Sequence, residues 1–556
     1  MRIYCDKGDF DLPPGFKTEF LQNNLFLRED GDRTMPITLP ATSHNLQLIE
    51  YPYRMDMFYK PINEIEITIS HGSIQNRCNM AIHTANEEGI SCTIYFDSGS
   101  FYSRIGDTML NALPWEEIRP TGTLVQRRKY LVNLLKNEWM NPDKSENAKF
   151  RCGTVLTDTK YTIIVNPNLQ GEENIEGLFI LNNMDRFNNN FIDISLSQTE
   201  FSYLEAEKQR FHVVDKVPIL MDIGYGMTPF LKITYILKFI FSQYNFNFNP
   251  IDLSYYKNKG DYEDICVLNN VADAIYDGYI LFKDLLPEVT IKEFIAEIEK
   301  HFGGKFVFNK IKKEVNFIHY ISRFFNVVPD LDLTQYISGK IVVGESKFKT
   351  INIIEKNEEK NDKNTENIVF DLKKSETVSM EVWAIFTNNI GGDWNTNNVL
   401  NFEMINVGNM INKYYKYVIN DKDKEEKSNA VKTIMFASFK RKLSSPITYS
   451  DDLFQFKSKL SHQTSSEMFG EIGDEYGIGV IAYFYSGYPD FRKHSNITIK
   501  VNMKIPKHIL ETLDITTLKL LKNQPVMIES IKRIFGDDTT QEVTFRTYRP
   551  YNDREI

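Results

Sequence analysis

The sequence predicts an α+β, mainly β protein: antiparallel β-barrel or sandwich domains with an inserted α/β subdomain. Three observations lead there. Apolar and polar residues alternate over Glu64–Ser70, Ile90–Phe96 and Ile497–Met503, the period of a strand with one buried face. A single segment, Pro287–Tyr320, carries a complete helix, stop and hairpin pattern. No internal repeat of about 20–50 residues occurs, which sets aside a solenoid or propeller.

The bulk numbers fit a globular chain. With 556 residues, of which 42% are hydrophobic and 25% charged, it can bury a core in roughly three to four domains. The net charge of -10 argues against a broad nucleic-acid-binding face, because phosphate recognition needs clustered cations. Ile, Lys and Asn are abundant, as in proteins from AT-rich genomes. The five cysteines, at 5, 78, 92, 152 and 266, form no CxxC pair, and buried free thiols are expected. The opening MRIYCDKGDF lacks the apolar stretch of a secretory signal. The most apolar helical segment, Phe230–Phe241, is shorter than the roughly 20 residues that span a bilayer. Folding in the cytoplasm is expected, without stable membrane insertion.

Residues 1–50, with LPPGF at 12–16 and ITLPATSHN at 37–45, read as an extended N-terminal arm, ordered only if its own domain or a neighbouring subunit ties it down. Residues 51–215 read as a first β-rich domain with one helix. Its strands are Glu64–Ser70, Ile90–Phe96, Tyr161–Val165, Leu178–Leu181 and Phe191–Leu196. Its helix starts at a Thr123/Gln126 cap and turns Leu124, Leu131, Leu134 and Leu135 inward.

Residues 216–325 read as an α/β subdomain. Thr228-Pro229 suggests an N-cap followed by proline at the first helical position, opening a helix that ends near Gln243. Asn245–Asn249 alternates Asn and Phe, and 260–286 resists assignment. In Pro287–Tyr320 the signals agree. Thr290 and Glu293 make a capping box, with Val289 and Phe294 as a hydrophobic staple. Ile291, Phe294, Ile295, Ile298 and Phe302 form one helical stripe. Gly303-Gly304 stops the helix, and Lys305–Asn309 and Glu314–Tyr320 form a hairpin.

Residues 326–450 read as a mixed β domain with two solvated charged loops, 355–367 and 420–429, flanking a helical face from Met404 to Val418. Residues 451–556 read as a C-terminal β-rich domain. There Ile497, Ile499, Val501 and Met503 alternate, and Val526 and Ile528 pair with Val543 and Phe545 around Gly536-Asp537-Asp538.

The sequence nominates no catalytic, cofactor-binding or metal-ligating residue, and no cofactor. There is no HExxH, Walker loop, GxGxxG or GxSxG. Asp393, Asn395 and Asn397 start like a calcium loop, but Asn398 and Met404 occupy the positions that need Gly and Glu. Asp421 and Asp423 fail the same test. Glu116-Glu117 beside Trp115 are adjacent in a loop, which does not set the separation of a glycosidase pair. Tyr483 and Tyr485 share a strand face that could stack on a sugar, and a plain strand ending at Gly487-Tyr488-Pro489 explains them equally. The basic clusters Arg127-Arg128-Lys129 and Lys440-Arg441-Lys442 are small enough to be solvated faces or partners of acidic neighbours.

Three stretches together resemble the tail hub, or baseplate hub, proteins of tailed bacteriophages. They are ITLPATSHNLQLIEYPYRMDMFYKPI at 37–62, LLPEVTIKEFIAEIEKHFGGKFVFNKIKKEVNFI at 285–318, and LKNQPVMIESIKRIFGDDTTQEVTFRTY at 521–548. The composition is similar to that of phages of anaerobic gut bacteria, including crAss-like phages. The resemblance implies a non-enzymatic structural virion protein whose β-barrel domains close into a homo-oligomeric ring, a trimer with pseudo-sixfold symmetry, a hexamer or a dodecamer. Such a ring joins the tail tube or connector to spike, needle or fibres. It lines the DNA exit channel, with DNA only in transit during genome ejection. It implies assembly in the host cytoplasm and residence in the virion tail. The loops at 355–367 and 420–429 look like insertions. No lysozyme-like or collagen-like extension follows the hub pattern. The rival expectations are a receptor- or glycan-binding tail protein and a tail-associated cell-wall hydrolase.

Overall fold

The alternating segments of the sequence assemble into one large, mainly antiparallel sheet. The computed structural model describes most of residues 2–51, 64–140, 149–164, 174–182, 191–193, 210–221, 227–251, 265–356 and 497–548, with short stretches at 367–368, 377–389, 434–438 and 459–462. The sheet has 14 strands. They are β1 (Arg2–Cys5), β2 (Gly8–Asp9), β3 (Thr18–Asn23), β4 (Arg33–Thr34), β5 (Ile37–Leu39), β6 (Glu64–His71), β7 (Ile74–Ala85), β8 (Ile90–Tyr95), β9 (Leu331–Asp332), β10 (Val342–Glu345), β11 (Ile497–Met503), β12 (Leu518–Leu521), β13 (Gln524–Phe535) and β14 (Asp537–Thr547). In space they run β2-β1-β6-β7-β8-β4-β3-β13-β14-β11-β10, with β5 also on β8, and β9 on β12 beside β13. The β9–β12 pair alone is parallel. Among the described residues the strand order is open, and its two ends are β2 and β10.

Register follows the apolar pattern. Ile528 lies opposite Phe545, and Ile531 opposite Val543, on the expected hairpin. All four are buried with Val501, Met503 and Val526 in one core. A slip of one residue would turn this face to water, so burial fixes the pairing. Ile67 and Ile69 on β6, and Ile90, Cys92 and Ile94 on β8, line a second core.

The N-terminal segment differs from the expected arm. It supplies five strands to the chain's own sheet. Strand β1 pairs with β6, β3 with β13, and β5 with β8. Ile3, Phe10, Phe20 and Leu39 are buried. Asn24 is fully buried; its amide donates to the carbonyls of Ile515 (2.8 Å) and Ile528 (2.9 Å) and its oxygen accepts from the Phe26 amide (3.0 Å). Proline and polar residues thin the periodic signal here, but backbone pairing does not depend on it. One sheet thereby draws on four of the segments that the sequence reading separates, namely 1–50, 51–215, 326–450 and 451–556.

A second antiparallel sheet orders Phe191–Asp193, Asn174–Leu181, Val155–Ile164, Arg210–Val214 and Val217–Met221. Helix α1 (Ser43–Leu48) is capped by the Thr42 side chain. Helix α2 (Leu124–Met140) begins at Thr123 as expected, with the Thr123 amide donating to the Gln126 side chain at 2.9 Å. Leu131 and Leu135 face inward, but Leu124 is exposed, because the first turn projects beyond the core.

Helix α3 (Ile233–Gln243) starts later than Thr228-Pro229 suggests. Phe230–Leu231 pairs instead as a short strand with Phe150–Arg151. Thr228 is held by Asn182 and Asn269: its amide donates to the Asn182 oxygen at 2.8 Å and its hydroxyl to the Asn269 oxygen at 3.1 Å. These buried partners satisfy the groups that a cap would otherwise use.

Helix α4 (Ile291–His301) has its full capping box. The Glu293 amide donates to Thr290 Oγ1 at 3.1 Å, and the Thr290 amide donates to the Glu293 carboxylate at 2.8 Å. The hydrogen bonds from Thr290 hold the Glu293 carboxyl below the usual carboxylate range. A carboxyl whose folded-state pKa is depressed stabilises above its unfolded pKa, so this contribution fades as pH falls through the ordinary carboxylate range. Thr290→Ala is expected to lower stability by about 1 kcal/mol, read as an earlier urea midpoint with an unchanged slope.

All five expected stripe residues of α4 are buried. Gly303 takes φ 55°, the left-handed stop expected of it. A Cβ on Gly304 would lie 2.5 Å from the Ile318 carbonyl oxygen, so the hairpin Gly304–Asn309/Glu314–His319 closes only on glycine. Phe101 stacks on Phe308 (4.6 Å, 26°) and Phe241 packs on Phe306 (5.2 Å), joining α3 and the hairpin in the largest core.

Candidate assembly surface

Among the described residues, Trp115, Glu116 and Glu117 are engaged in packing and ion pairs. Glu117 accepts two bonds from the Arg119 guanidinium, at 2.8 and 3.0 Å, and these hold its carboxyl below the usual range. Glu116 pairs with Lys149. Trp115 stacks on Phe239 (4.2 Å, 23°) while its indole donates to the Leu110 carbonyl at 2.7 Å. Trp115 therefore fastens this segment to α3, both carboxylates are engaged by cations, and Glu117–Ile118, read from the sequence as loop, pairs as a short strand with Ile280–Leu281. Of the basic run in α2, Arg128 is buried, Arg127 packs beside Gly278 and Lys129 is exposed. Among the described residues no group of three or more His, Cys, Asp or Glu could hold a metal ion. No described helix is long and apolar enough to cross a membrane.

Asp393, Asn395, Asn397, Asp421, Asp423, Lys440-Arg441-Lys442, Tyr483 and Tyr485 lie outside the described residues, as do the helical face at 404–418 and nearly all of the loops 355–367 and 420–429. The cysteines are free thiols, four buried and Cys5 half-buried. Burial pushes the Cys92 thiol up to about 12 and the Cys152 thiol upward too, so neither forms the reactive thiolate at neutral pH.

Buried charges tie distant segments together. Arg151 and Glu138 form an ion pair at 2% and 3% side-chain exposure, joining α2 to the Phe150–Arg151 strand. Glu529 on β13 accepts from Arg28 at 2.8 Å and from Arg546 at 2.6 Å. Lys519 on β12, fully buried, reaches Asp330 at 2.5 Å and Thr517 at 2.6 Å. Each charge has a hydrogen-bonded counter-charge, the condition under which burial is tolerated.

The surface that lacks such closure is the β10 end of the large sheet. β10 pairs on one side with β11: Val342 lies opposite Lys500, Val343 opposite Ile499 and Gly344 opposite Thr498. On its other side no strand follows among the described residues. Val342 is 60% exposed, Val343 62% and the neighbouring Ile497 41%. The apolar face that is buried at Val501 and Met503 thus runs on past its core to Ile499, Ile497 and Val343. An edge is ordinarily guarded by proline, lysine or a bulge. Ile341–Glu345 contains neither proline nor lysine, and its pairing with β11 is regular.

The other end of the sheet is capped. His44 of α1 bonds the Asp9 carbonyl of β2 at 2.8 Å, and Leu48 lies over Gly8. This asymmetry is invisible in the sequence, where Ile341-Val342-Val343 is a three-residue apolar run without distinguishing pattern.

No protein-family profile and no curated protein matches the chain. Among solved structures it is similar to the 43 kDa tail protein of prophage MuSo2 from Shewanella oneidensis. The two are 8% identical with a TM-score of 0.32, and the match covers 98% of this chain and 96% of that one.

Proposed function

We propose that this chain is a non-enzymatic structural protein of a bacteriophage tail, a hub or baseplate hub subunit that assembles with copies of itself and links tube or connector to spike, needle or fibres. The observation that carries the reading is the β10 edge, which has no further strand beside it among the described residues and exposes Val342, Val343 and Ile497. A sheet end of this kind is a docking element for another chain. The hub-like stretches supply framework: Ile37–Leu39 and α1 in 37–62, α4 and its hairpin in 285–318, and the β13–β14 hairpin in 521–548. A resemblance carried by packing elements suits a protein that makes shape for neighbours.

In this reading the chain folds in the host cytoplasm and resides in the virion tail, where DNA passes the ring without being held. The test is deletion of its gene from the phage. The expected result is particles whose tails lack their distal organelle, restored by supplying the chain in trans. Infectious particles of normal tail morphology would overturn the proposal.

A further inference from the structure

We infer that the turn between β3 and β4 is a peg that locks the α/β subdomain onto the large sheet, so that the two open as one unit. The inference goes beyond the assembly reading and does not depend on it. Strand β13 shows why a junction forms there. Successive side chains of a strand point to opposite faces of its sheet. Val526 and Ile528 are buried in the sheet's own core, whereas Met527 between them belongs to the largest core, with α3, α4 and their hairpin. Leu518 on β12 lies directly opposite Met527 and is buried in that same core. At this point the sheet covers one apolar face by itself and the other with the α/β subdomain.

The peg is fixed at its base and apolar at its tip. It leaves β3 at Asn23, and Asn24 anchors it. The Asn24 backbone amide donates to the Glu529 carbonyl at 3.0 Å, and its side chain holds the carbonyls of Ile515 and Ile528. The amides of Leu27 and Arg28 both donate to the Asn24 carbonyl at 2.9 Å, which closes the turn. Arg28 pairs with Glu529 at 2.8 Å. Between these anchors Phe26, 2% exposed, meets Tyr320 and Phe324 edge to face, with ring centroids 5.6 and 6.0 Å apart.

Both rings stand where the subdomain ends, at the helical turn Ile321–Phe324. The same turn takes two further ties. The Tyr548 hydroxyl, just past β14, donates to the Phe324 carbonyl at 2.6 Å, and Arg323 faces Asp514 at 3.5 Å. Phe26 is thus tethered by its backbone to one body and buried in the core of the other. A neighbour that grips the sheet would carry the subdomain with it.

Hydrogen–deuterium exchange of the full chain tests the lock at the most protected amides. A change inside one body alters the exchange of another only where the two open together. Ile295→Val is such a change, mild and fully buried on α4. With Phe26 in place it should speed exchange about fivefold both in α4 with its hairpin and in β13–β14. In the Phe26→Ala background it should speed α4 and the hairpin by about the same factor and leave β13–β14 unmoved, since the sheet keeps its own core. The first arm needs no change at Phe26, and Phe26→Leu repeats the second should Phe26→Ala not fold. Ile295→Val confined to α4 and the hairpin in the parent background would overturn the proposal. So would transmission to β13–β14 that survives the loss of Phe26. Failure of the tail reading shows up separately, in the particles of the gene deletion.

Discussion

Removal of residues 1–45 is expected to destroy the large sheet instead of releasing a trimmed, folded monomer. The deletion takes away β1, β2, β3, β4 and β5 and the first turn of α1. It strips one side each of β6, β8 and β13. It also removes Ile3, Phe10, Phe20, Phe26, Ile37 and Leu39, all buried. Each such side chain contributes about 1.5–3 kcal/mol on burial. Their sum rivals the roughly 5–15 kcal/mol by which a domain is stable at all. Loss of Asn24 would further strand the Ile515 and Ile528 carbonyls in the interior. The measurement is limited proteolysis with near-ultraviolet circular dichroism. Rapid cleavage across residues 64–95 and 497–547 and loss of the aromatic signal are expected. A soluble truncation with a cooperative thermal transition would show that these strands are accessory.

Glu138→Ala is expected to cost about 3–5 kcal/mol, because it leaves the Arg151 guanidinium charged in a core that exposes 2% of that side chain. The double variant Glu138→Leu/Arg151→Met should recover most of that loss, since apolar groups of similar size then replace the buried ion pair as a whole. Urea denaturation of the two variants separates electrostatics from packing. If the double variant is no more stable than Glu138→Ala, the pair is holding geometry and not merely balancing charge.

Local signals carried the α4 unit nearly whole, because Thr290, Glu293, Val289, Phe294 and Gly303 each act within a few residues of one another. The β13–β14 register was readable for the same reason: the hairpin partners are close in sequence and their apolar faces agree. The N-terminal strands were not readable. β3 pairs with β13 more than 500 residues away, and no local pattern encodes such a partner. The start of α3 failed because Thr228 is engaged by Asn182 and Asn269, long-range partners that overrode a good cap-and-proline signal. The β10 edge was hidden for a related reason. A three-residue apolar run means little until topology shows that the sheet ends there. Glu116-Glu117 read as a loop after Pro114, whereas Glu117–Ile118 pairs as a short strand with Ile280–Leu281, a partner too far along the chain for local pattern to show.

The central claim is that this fold makes shape for neighbouring chains in a tail. Its most direct test is electron cryomicroscopy of intact particles of the phage that encodes it. The account expects several copies of this sheet arranged around the tail axis at the distal end. Well-resolved tails in which no density accommodates the chain, together with its absence from the particle's protein inventory, would contradict it.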